Sequence, residues 1–388
     1  MNKNSEIQQE IAVALAEFTP EVANSWDQSE CIPDEVLESL ASAQLLGCHM
    51  GREFGGKDWN SVELGILFEE LGQVSLSLVS ILTVHCMVQE VVRQWGSSAQ
   101  KQHWLPDMVK GRTIAAFALT EPKHGSDATG IQTVLRSCEN GYRLQGVKKW
   151  ISYSQKAGVF LVFAIDEQGK HTACLVPSDA PGISVKPVGK LLGFRGASLG
   201  QIEFNDCFVA QENIIGQPGT GISYVAGNGL DLGRLAISFG CLGAMKACIS
   251  DSVVYARERE QFGQQLIQHQ LIQQMLADMI TAHKAASHLC YSAAKLRSEG
   301  DPMSTMETTV AKYFASTQSV KVADMALQIH GAVGCSAEES RIERYYRDVR
   351  ITEIIEGSNQ MQQMMIAQNG MGEWVNLARK RSALGAKR

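Results

Sequence analysis

The chain has 388 residues, enough for two to three domains and a large core at about 150 residues per domain. Apolar residues make up 45% and charged residues 20%, which excludes a disordered chain and a coiled coil and leaves a globular protein. Thirty-five basic against 41 acidic side chains leave a net charge of -6. No stretch gathers Lys and Arg densely enough to follow a phosphate backbone, so nucleic acid is not an expected partner.

The N-terminus, MNKNSEIQQEIAVALAEF, lacks the charged start, apolar run and small-residue cleavage site of a secretory signal. No window of about 18 residues reads as apolar throughout, so no membrane span is expected. Ten cysteines run from Cys31 to Cys335 without a Cys-x-x-Cys pair, in a chain too long to need disulfide staples, which predicts reduced thiols in a cytoplasm.

Residues 1 to about 115 read as helices. Pro33 opens one that carries Val36, Leu37, Leu40 and Leu45, with Gly47 as its stop. A second stripe runs through Val62, Leu64, Ile66, Leu67 and Leu71. From 116 to 220 short β-rich runs, VFLVFAI, TACLV, ISVKPV and QIEF, alternate with Gly, Pro, Asn and Asp, which predicts a compact β domain. The helical period returns over 221–388, with long segments near 223–258, 265–298 and 304–330. In the last, Val310, Phe314, Thr317, Val320, Ala323 and Leu327 share a face and Gly331 ends it. The predicted order is all-α (1–115), β (116–220), all-α (221–388).

Familiar catalytic motifs are missing or misplaced. There is no Gly-x-Gly-x-x-Gly after a strand and no Gly-Lys-Ser/Thr, which disfavours a Rossmann dehydrogenase and a P-loop ATPase. GASLG, Gly196 to Gly200, has the pattern of a nucleophile elbow, but Ser198 leads into an alternating strand rather than a helix and reads as a polar β-turn. A helical di-iron site needs paired Glu-x-x-His motifs, whereas one copy occurs, Glu121 to His124, broken by Pro122. No metal-ligand set is expected.

Five polar, Gly-containing islands remain. FALTEPKHGSD, Phe117 to Asp127, is a strand entering a donor-rich turn that suits a flat heteroaromatic ring or a phosphate, and equally a plain loop. KKWIS, Lys148 to Ser152, offers an aromatic and a hydroxyl at a strand edge. REREQFG, Arg257 to Gly263, joins two long helices; alone, such a charge cluster is a solvated face. QIHGAVG, Gln328 to Gly334, stops a helix at glycines that permit close backbone approach. In IIEGSNQMQ, Ile354 to Gln362, Glu356 follows two isoleucines. A carboxyl among β-branched apolar neighbours is poorly solvated, which raises its pKa towards that of a useful base; an exposed Glu at a helix start is the plainer reading.

Taken together, in this order and spacing, the islands resemble the acyl-CoA dehydrogenase family, and the likeness runs from the EFGG segment (Glu53 to Gly56) to Gln363. The resemblance implies an N-terminal helical domain, a central β domain and a C-terminal four-helix bundle, with FAD between them in homodimers or homotetramers. It implies that Phe117, Leu119, Thr120 and Ser126 line the flavin and the substrate thioester, and that Trp150 and Ser152 stand for the family's Trp-Ile-Thr. Arg259 and Phe262 match a segment reaching a neighbouring subunit's FAD, and Gln328 with Gly331 the adenine side, where Ala332 departs from the family's Gly-Gly-x-Gly. Ser358 and Gln360 match residues that touch FAD. Asp231 and Arg234 match positions near the thioester and its pantetheine arm. Glu356 resembles the catalytic base. Some branches place the base one residue before the arginine of LDLGR, and that residue is Gly233 here.

SILTVHCMV (Ser80 to Val88), METTVAKYFAS (Met306 to Ser316) and EIIEGSNQMQQ are similar to dehydrogenases that make hydroxymalonyl- or aminomalonyl-type extender units on an acyl carrier protein for polyketide and nonribosomal-peptide pathways. That subgroup implies a partner hydroxyacyl dehydrogenase and oxidation of a three-carbon polar acyl group at C3. His85 becomes a polar pocket residue in this reading, or else a satisfied core histidine. The alternatives are a short-chain acyl-CoA dehydrogenase passing electrons to an electron-transfer flavoprotein, an oxidase using oxygen, and a non-catalytic homologue acting in assembly.

Overall fold

The computed structural model describes residues 3–385. Six helices come first: α1 Lys3–Ala14, α2 Pro20–Gln28, α3 Asp34–Ser42, α4 Ser61–Val74, α5 Leu76–Trp95 and α6 Ser98–Val109. Their starts are written locally. Asn60 accepts from the main-chain N–H groups of Val62 and Glu63 while Glu63 accepts from that of Asn60, and Ser97 and Gln100 form the same reciprocal cap on α6. The end of α3 comes earlier than expected. Gln44 takes the left-handed conformation (φ 57°) and the Leu45 N–H reaches back to Leu40 O at 2.8 Å, so the chain turns there and Gly47 lies beyond the stop.

The middle region is one sheet built from β1 Ala115–Ala118, β2 Val134–Cys138, β3 Gly141–Ile151, β4 Val159–Asp166, β5 His171–Pro177, β6 Ile183–Pro187, β7 Gly200–Ala210 and β8 Ile214–Ile215. The strand order is β6-β7-β3-β2-β4-β5-β8, with β1 parallel to β4. β3 and β7 pair along their length, with the register slipping twice, between Leu144 and Gly146 and between Lys148 and Ile151. Ser198, at φ 48°, leads into β7, so GASLG is a turn before a strand as expected.

A π-helical turn, Gly221–Ala226, opens α7 Gly227–Glu258. A two-stranded hairpin follows, β9 Glu260–Gln261 and β10 Gln264–Gln265, then α8 Gln270–Ser298, α9 Ser304–His330, α10 Ile342–Thr352 and α11 Asn359–Gly385. α8 begins later than the expected 265 because Phe262 and Gly263, both at positive φ, close the hairpin first. α7 runs through the centre and packs on α4, α5, α8 and α9. α4 approaches it closely: a Cβ on Gly72 would lie 2.3 Å from Gly240 O.

Two helices, Leu76–Trp95 and the segment Gly221–Glu258, are long and apolar enough to cross a membrane by composition, contrary to expectation. Both are covered by protein, 94% and 89% of the relevant windows being buried, which makes them core helices. The buried face of α9 also differs from the expected one. Val310, Phe314 and Thr317 are only half-buried, whereas Thr308, Lys312, Ala315, Ser316 and Ser319 are fully covered, since small side chains let α9 lie close to its neighbours.

Candidate active site

The site is organised by the turn between α10 and α11. Glu356 sits at φ 55° and Gly357 at φ 84°, two successive left-handed residues. A non-glycine residue persists there only where its surroundings over-determine it. They do so through main-chain oxygens. Glu356 O accepts from Arg234 Nε (3.3 Å) and Gln362 Nε2 (3.1 Å), and Gly357 O accepts from Lys312 Nζ and Gln362 Nε2 (both 2.9 Å). Asn359 N–H donates to Glu353 O at 2.8 Å.

This turn drives the Glu356 side chain inward against α7. A Cβ on Gly233 would lie 2.3 Å from Glu356 Oε2, with Met87 Sδ at 2.9 Å. Oε2 is buried and has no hydrogen-bond partner. Burial pushes the carboxyl up to about 7, against the lowering effect of Arg234 and Lys312. The two candidate base positions thus converge on one point in space: Gly233 leaves the room that the Glu356 carboxyl fills.

Gly229 lies one turn from Gly233 on the same face of α7, and a Cβ there would be 2.8 Å from the Phe117 ring. Phe117, at the end of β1, therefore approaches the same face as Glu356, and Leu119 is buried beside it. The following turn is held by a buried ion pair: Lys148 Nζ reaches Glu121 Oε1 (2.8 Å) and Leu119 O (2.9 Å), while Glu121 also accepts from Gln132 N, Thr133 N and Thr133 Oγ1. Thr120 O accepts from Lys149 N–H (2.9 Å), and Ser126 is exposed at the far end of the turn. Trp150, at φ 64° where the β3–β7 register slips, stands out with 49% of its surface exposed. Ser152 Oγ lies 3.0 Å from Ser80 Oγ on α5. Thr83, one turn along α5 towards Met87, is buried with an unpartnered hydroxyl.

Asp231 and Arg234 are both buried but are held by protein groups. Asp231 is ion-paired with Arg297 of α8, which also faces Glu90 at 3.9 Å. Arg234 binds the Glu356 main chain. His85 is not a pocket residue. Its Nδ1 accepts from Ala115 N–H (3.1 Å) and its Nε2 lies 3.0 Å from Met108 O, so it ties α5 to β1 and α6; burial pulls it down to about 4 and leaves it neutral.

Four further residues gather elsewhere. Tyr255, near the end of α7, stacks on His330 with ring centroids 4.4 Å apart, bringing the Arg259–Phe262 and Gln328–Gly331 segments to one end of the bundle. Arg259 and Gln328 are exposed, and Phe262 is 97% exposed. Gln328 is sixteen residues from Lys312 on α9, about 24 Å along the axis, so these residues do not close around Glu356 of their own chain. Ser358, just before α11, and Gln360, in its first turn, follow Glu356 within four residues. Among the described residues no three His, Cys, Asp or Glu side chains gather as metal ligands, and none of the ten cysteines is bonded.

Sequence reasoning missed Lys312, Asn359, Gln362 and the Glu121–Lys148 pair. The available signal for Lys312 was its spacing, four residues from both Thr308 and Ser316 on what proves to be the buried face of α9.

A helical region, a sheet and a second helical region follow one another along the chain, with a buried carboxyl held between α7 and α5. The profiles of the acyl-CoA dehydrogenase N-terminal, middle and C-terminal domains match residues 2–112, 116–207 and 219–371, and the chain belongs to this family of FAD-dependent oxidoreductases. It is 35% identical over 378 residues to the acryloyl-CoA reductase (NADH) of Anaerotignum propionicum, covering 96% of this chain and 95% of that protein. Butyryl-CoA dehydrogenase of Megasphaera elsdenii has a similar structure (TM-score 0.91, 29% identity, 96% and 99% of the two chains). So does FkbI, for biosynthesis of the methoxymalonyl extender unit of the Fk520 polyketide immunosuppressant (TM-score 0.87, 29% identity, 94% and 99%).

Proposed function

We propose that this enzyme oxidises a short, polar acyl group carried as a thioester on an acyl carrier protein, in the making of an extender unit for secondary metabolism. The observation that carries the oxidation is the unpartnered Oε2 of Glu356, buried between Gly233 of α7 and Met87 of α5. Likeness to FkbI and the unpartnered hydroxyl of Thr83 favour a polar acyl group. Likeness to butyryl-CoA dehydrogenase and acryloyl-CoA reductase supports a second reading, a short acyl-CoA substrate.

The residues present fit FAD. A tryptophan left half-exposed at a strand irregularity is available to wall a flat ring, and Thr120 and Ser152 beside it supply hydroxyls. In this reading Phe117, Leu119, Thr120, Ser126, Trp150 and Ser152 hold the flavin end, with Ser358 and Gln360 close by. When bound, the flavin supplies the acceptor for the hydride equivalent leaving the acyl group. Glu356 takes the proton from the α-carbon, and its apolar burial makes the carboxylate a stronger base than one in water. Arg234 holds the turn through Nε, Asp231 meets α8 through Arg297 and keeps a buried, unpartnered Oδ1, and in this reading both stand near the thioester and its pantetheine arm.

The test is a mass spectrum of intact acyl carrier protein after incubation with enzyme and candidate acyl loads, beside the matching acyl-CoA thioesters. Loss of two hydrogens from a hydroxyl- or amino-bearing carrier-bound acyl group supports the proposal. Turnover confined to butyryl- or propionyl-CoA overturns it in favour of the second reading, and oxygen uptake in the same assay separates an oxidase from a dehydrogenase.

Arg259, Phe262, Gln328 and Gly331 gather at one end of the bundle, with Arg259, Phe262 and Gln328 exposed, and we assign them to the FAD of a second copy in a homodimer or homotetramer. Arg259→Ala is then expected to lower flavin occupancy and weaken the oligomer together, since a ligand that binds the assembled form stabilises it. Flavin absorbance and sedimentation of the variant check this; full occupancy in a native-sized oligomer refutes it.

A further inference from the structure

Lys312 has no exposed side-chain surface, yet it is a cation, and its position has a purpose that local sequence does not reveal. Its Nζ leaves α9 and donates to Gly357 O at 2.9 Å and to Asn359 Oδ1 at 3.1 Å, the two residues flanking Ser358 immediately after Glu356. Asn359 is fixed in turn by α9: its Oδ1 also accepts from Ser316 Oγ (3.0 Å) and its Nδ2 donates to Thr317 Oγ1 (3.1 Å). One helix thus grips the turn through Lys312, Ser316 and Thr317, and the Lys312 ammonium bonded to it is near enough to lower the Glu356 carboxyl.

We propose that Lys312 is the positioning residue for Glu356: its buried ammonium clamps the left-handed turn and holds a positive charge behind the carboxylate. The inference rests on the reading of Glu356 as the base. Two independent needs point to the same residue. A non-glycine residue at φ 55° followed by one at φ 84° requires external bonds, and Lys312 and Gln362 supply those to Gly357 O. A buried carboxylate requires a compensating charge, and within this packing there are two candidates.

The charged groups facing the turn from α7 are Arg234, which also faces Asp231, and Asp231 itself, paired with Arg297 of α8. Glu90 of α5 lies beyond Arg297, and the α5 residue nearest the carboxyl is the uncharged Met87. Glu353, just after α10, faces Lys312, and α11 contributes the neutral Gln362. Arg234 is shared between Glu356 and Asp231, whereas Lys312 is committed to the turn. Burial pulls Lys312 down to about 8, with Cys241 and Glu356 acting to raise it, so it stays largely protonated at neutral pH. Like Arg234, it lowers the Glu356 carboxyl, so its removal shifts proton loss from Glu356 to higher pH.

The experiment uses FAD-loaded enzyme with carboxyl-labelled glutamate, in which the Glu356 carbon resonance is assigned by its loss in Glu356→Gln and titrated without substrate. In Lys312→Gln, which keeps a donor and removes the charge, the titration midpoint is expected to rise by about one pH unit. The rate of flavin reduction should then fall about tenfold at pH 6 and recover at high pH, one pH unit being a tenfold change in the ionised fraction. If Lys312→Gln does not fold, the wild-type titration decides the matter: the Glu356 resonance should show a second, smaller inflection near pH 8 as Lys312 loses its proton, and its absence counts against the proposal. Midpoints unmoved from wild type, with rate lost equally at every pH, overturn the proposal and leave Lys312 a structural residue. Because the resonance reports on Glu356 whether or not it is the base, this failure is distinct from that of the base assignment, which would appear as an undiminished reduction rate in Glu356→Gln.

Discussion

Glu356→Gln should bind substrate and reduce its flavin at least about 10² more slowly under anaerobic conditions, in the range for losing a general base. Gln preserves the shape and the hydrogen-bonding capacity of the side chain and removes proton acceptance, so a stopped-flow trace isolates that loss. In the wild-type enzyme the reduction rate should rise with pH through about 7, because burial raises the carboxyl and the base acts only when deprotonated. The same shift lowers stability as the pH rises. Between the unfolded carboxyl value and about 7 the folded state holds the extra proton, so that contribution is full at low pH and lost as the pH passes through the folded value.

Moving the base tests the geometry. With Glu356 in place a Cβ at position 233 collides with Oε2, so Gly233→Glu alone should inactivate. Paired with Glu356→Gly, which vacates the space, Gly233→Glu should recover part of the lost rate, because the new carboxyl starts from the face of α7 that Glu356 now meets. An α-deuterated acyl group then distinguishes the chemistries. A primary isotope effect marks proton removal from the α-carbon; its absence, with Glu356→Gln still impaired, marks oxidation of a C3 aldehyde hydrate in which Glu356 deprotonates a hydroxyl.

Lys148→Met should lower stability by about 3–5 kcal/mol, the range for breaking a buried ion pair by removing one partner. The Glu121 carboxylate would stay behind with three donors but no counter-charge, and Leu119 O would lose its Nζ donor. Because this pair links the turn after β1 to β3, flavin should dissociate more readily as well. Urea unfolding of the apoenzyme and retained flavin absorbance measure the two effects separately. The double variant Lys148→Met with Glu121→Gln should recover part of the loss, since no buried charge then remains uncompensated. If both variants unfold at the wild-type midpoint, the pair does not contribute as described.

Much of this molecule was legible in its sequence. The α, β, α order follows from periods of 3.6 and 2 residues. Glu356 stood out because two isoleucines precede it and Gly357 follows, a composition that is itself local. These features are short-range, so residue identity alone specifies them. What the tertiary structure decided is long-range. His85 satisfied both ring nitrogens against β1 and α6, Asp231 found Arg297 sixty-six residues away, and the true buried face of α9 was set by how closely its small side chains let it approach its neighbours. Above all, Gly233 and Glu356 meet across 123 positions, and Lys312 reaches the same turn from a third helix. A missing side chain and a buried cation have meaning only once packing states which space is left and which charge must be balanced, and no local pattern contains either.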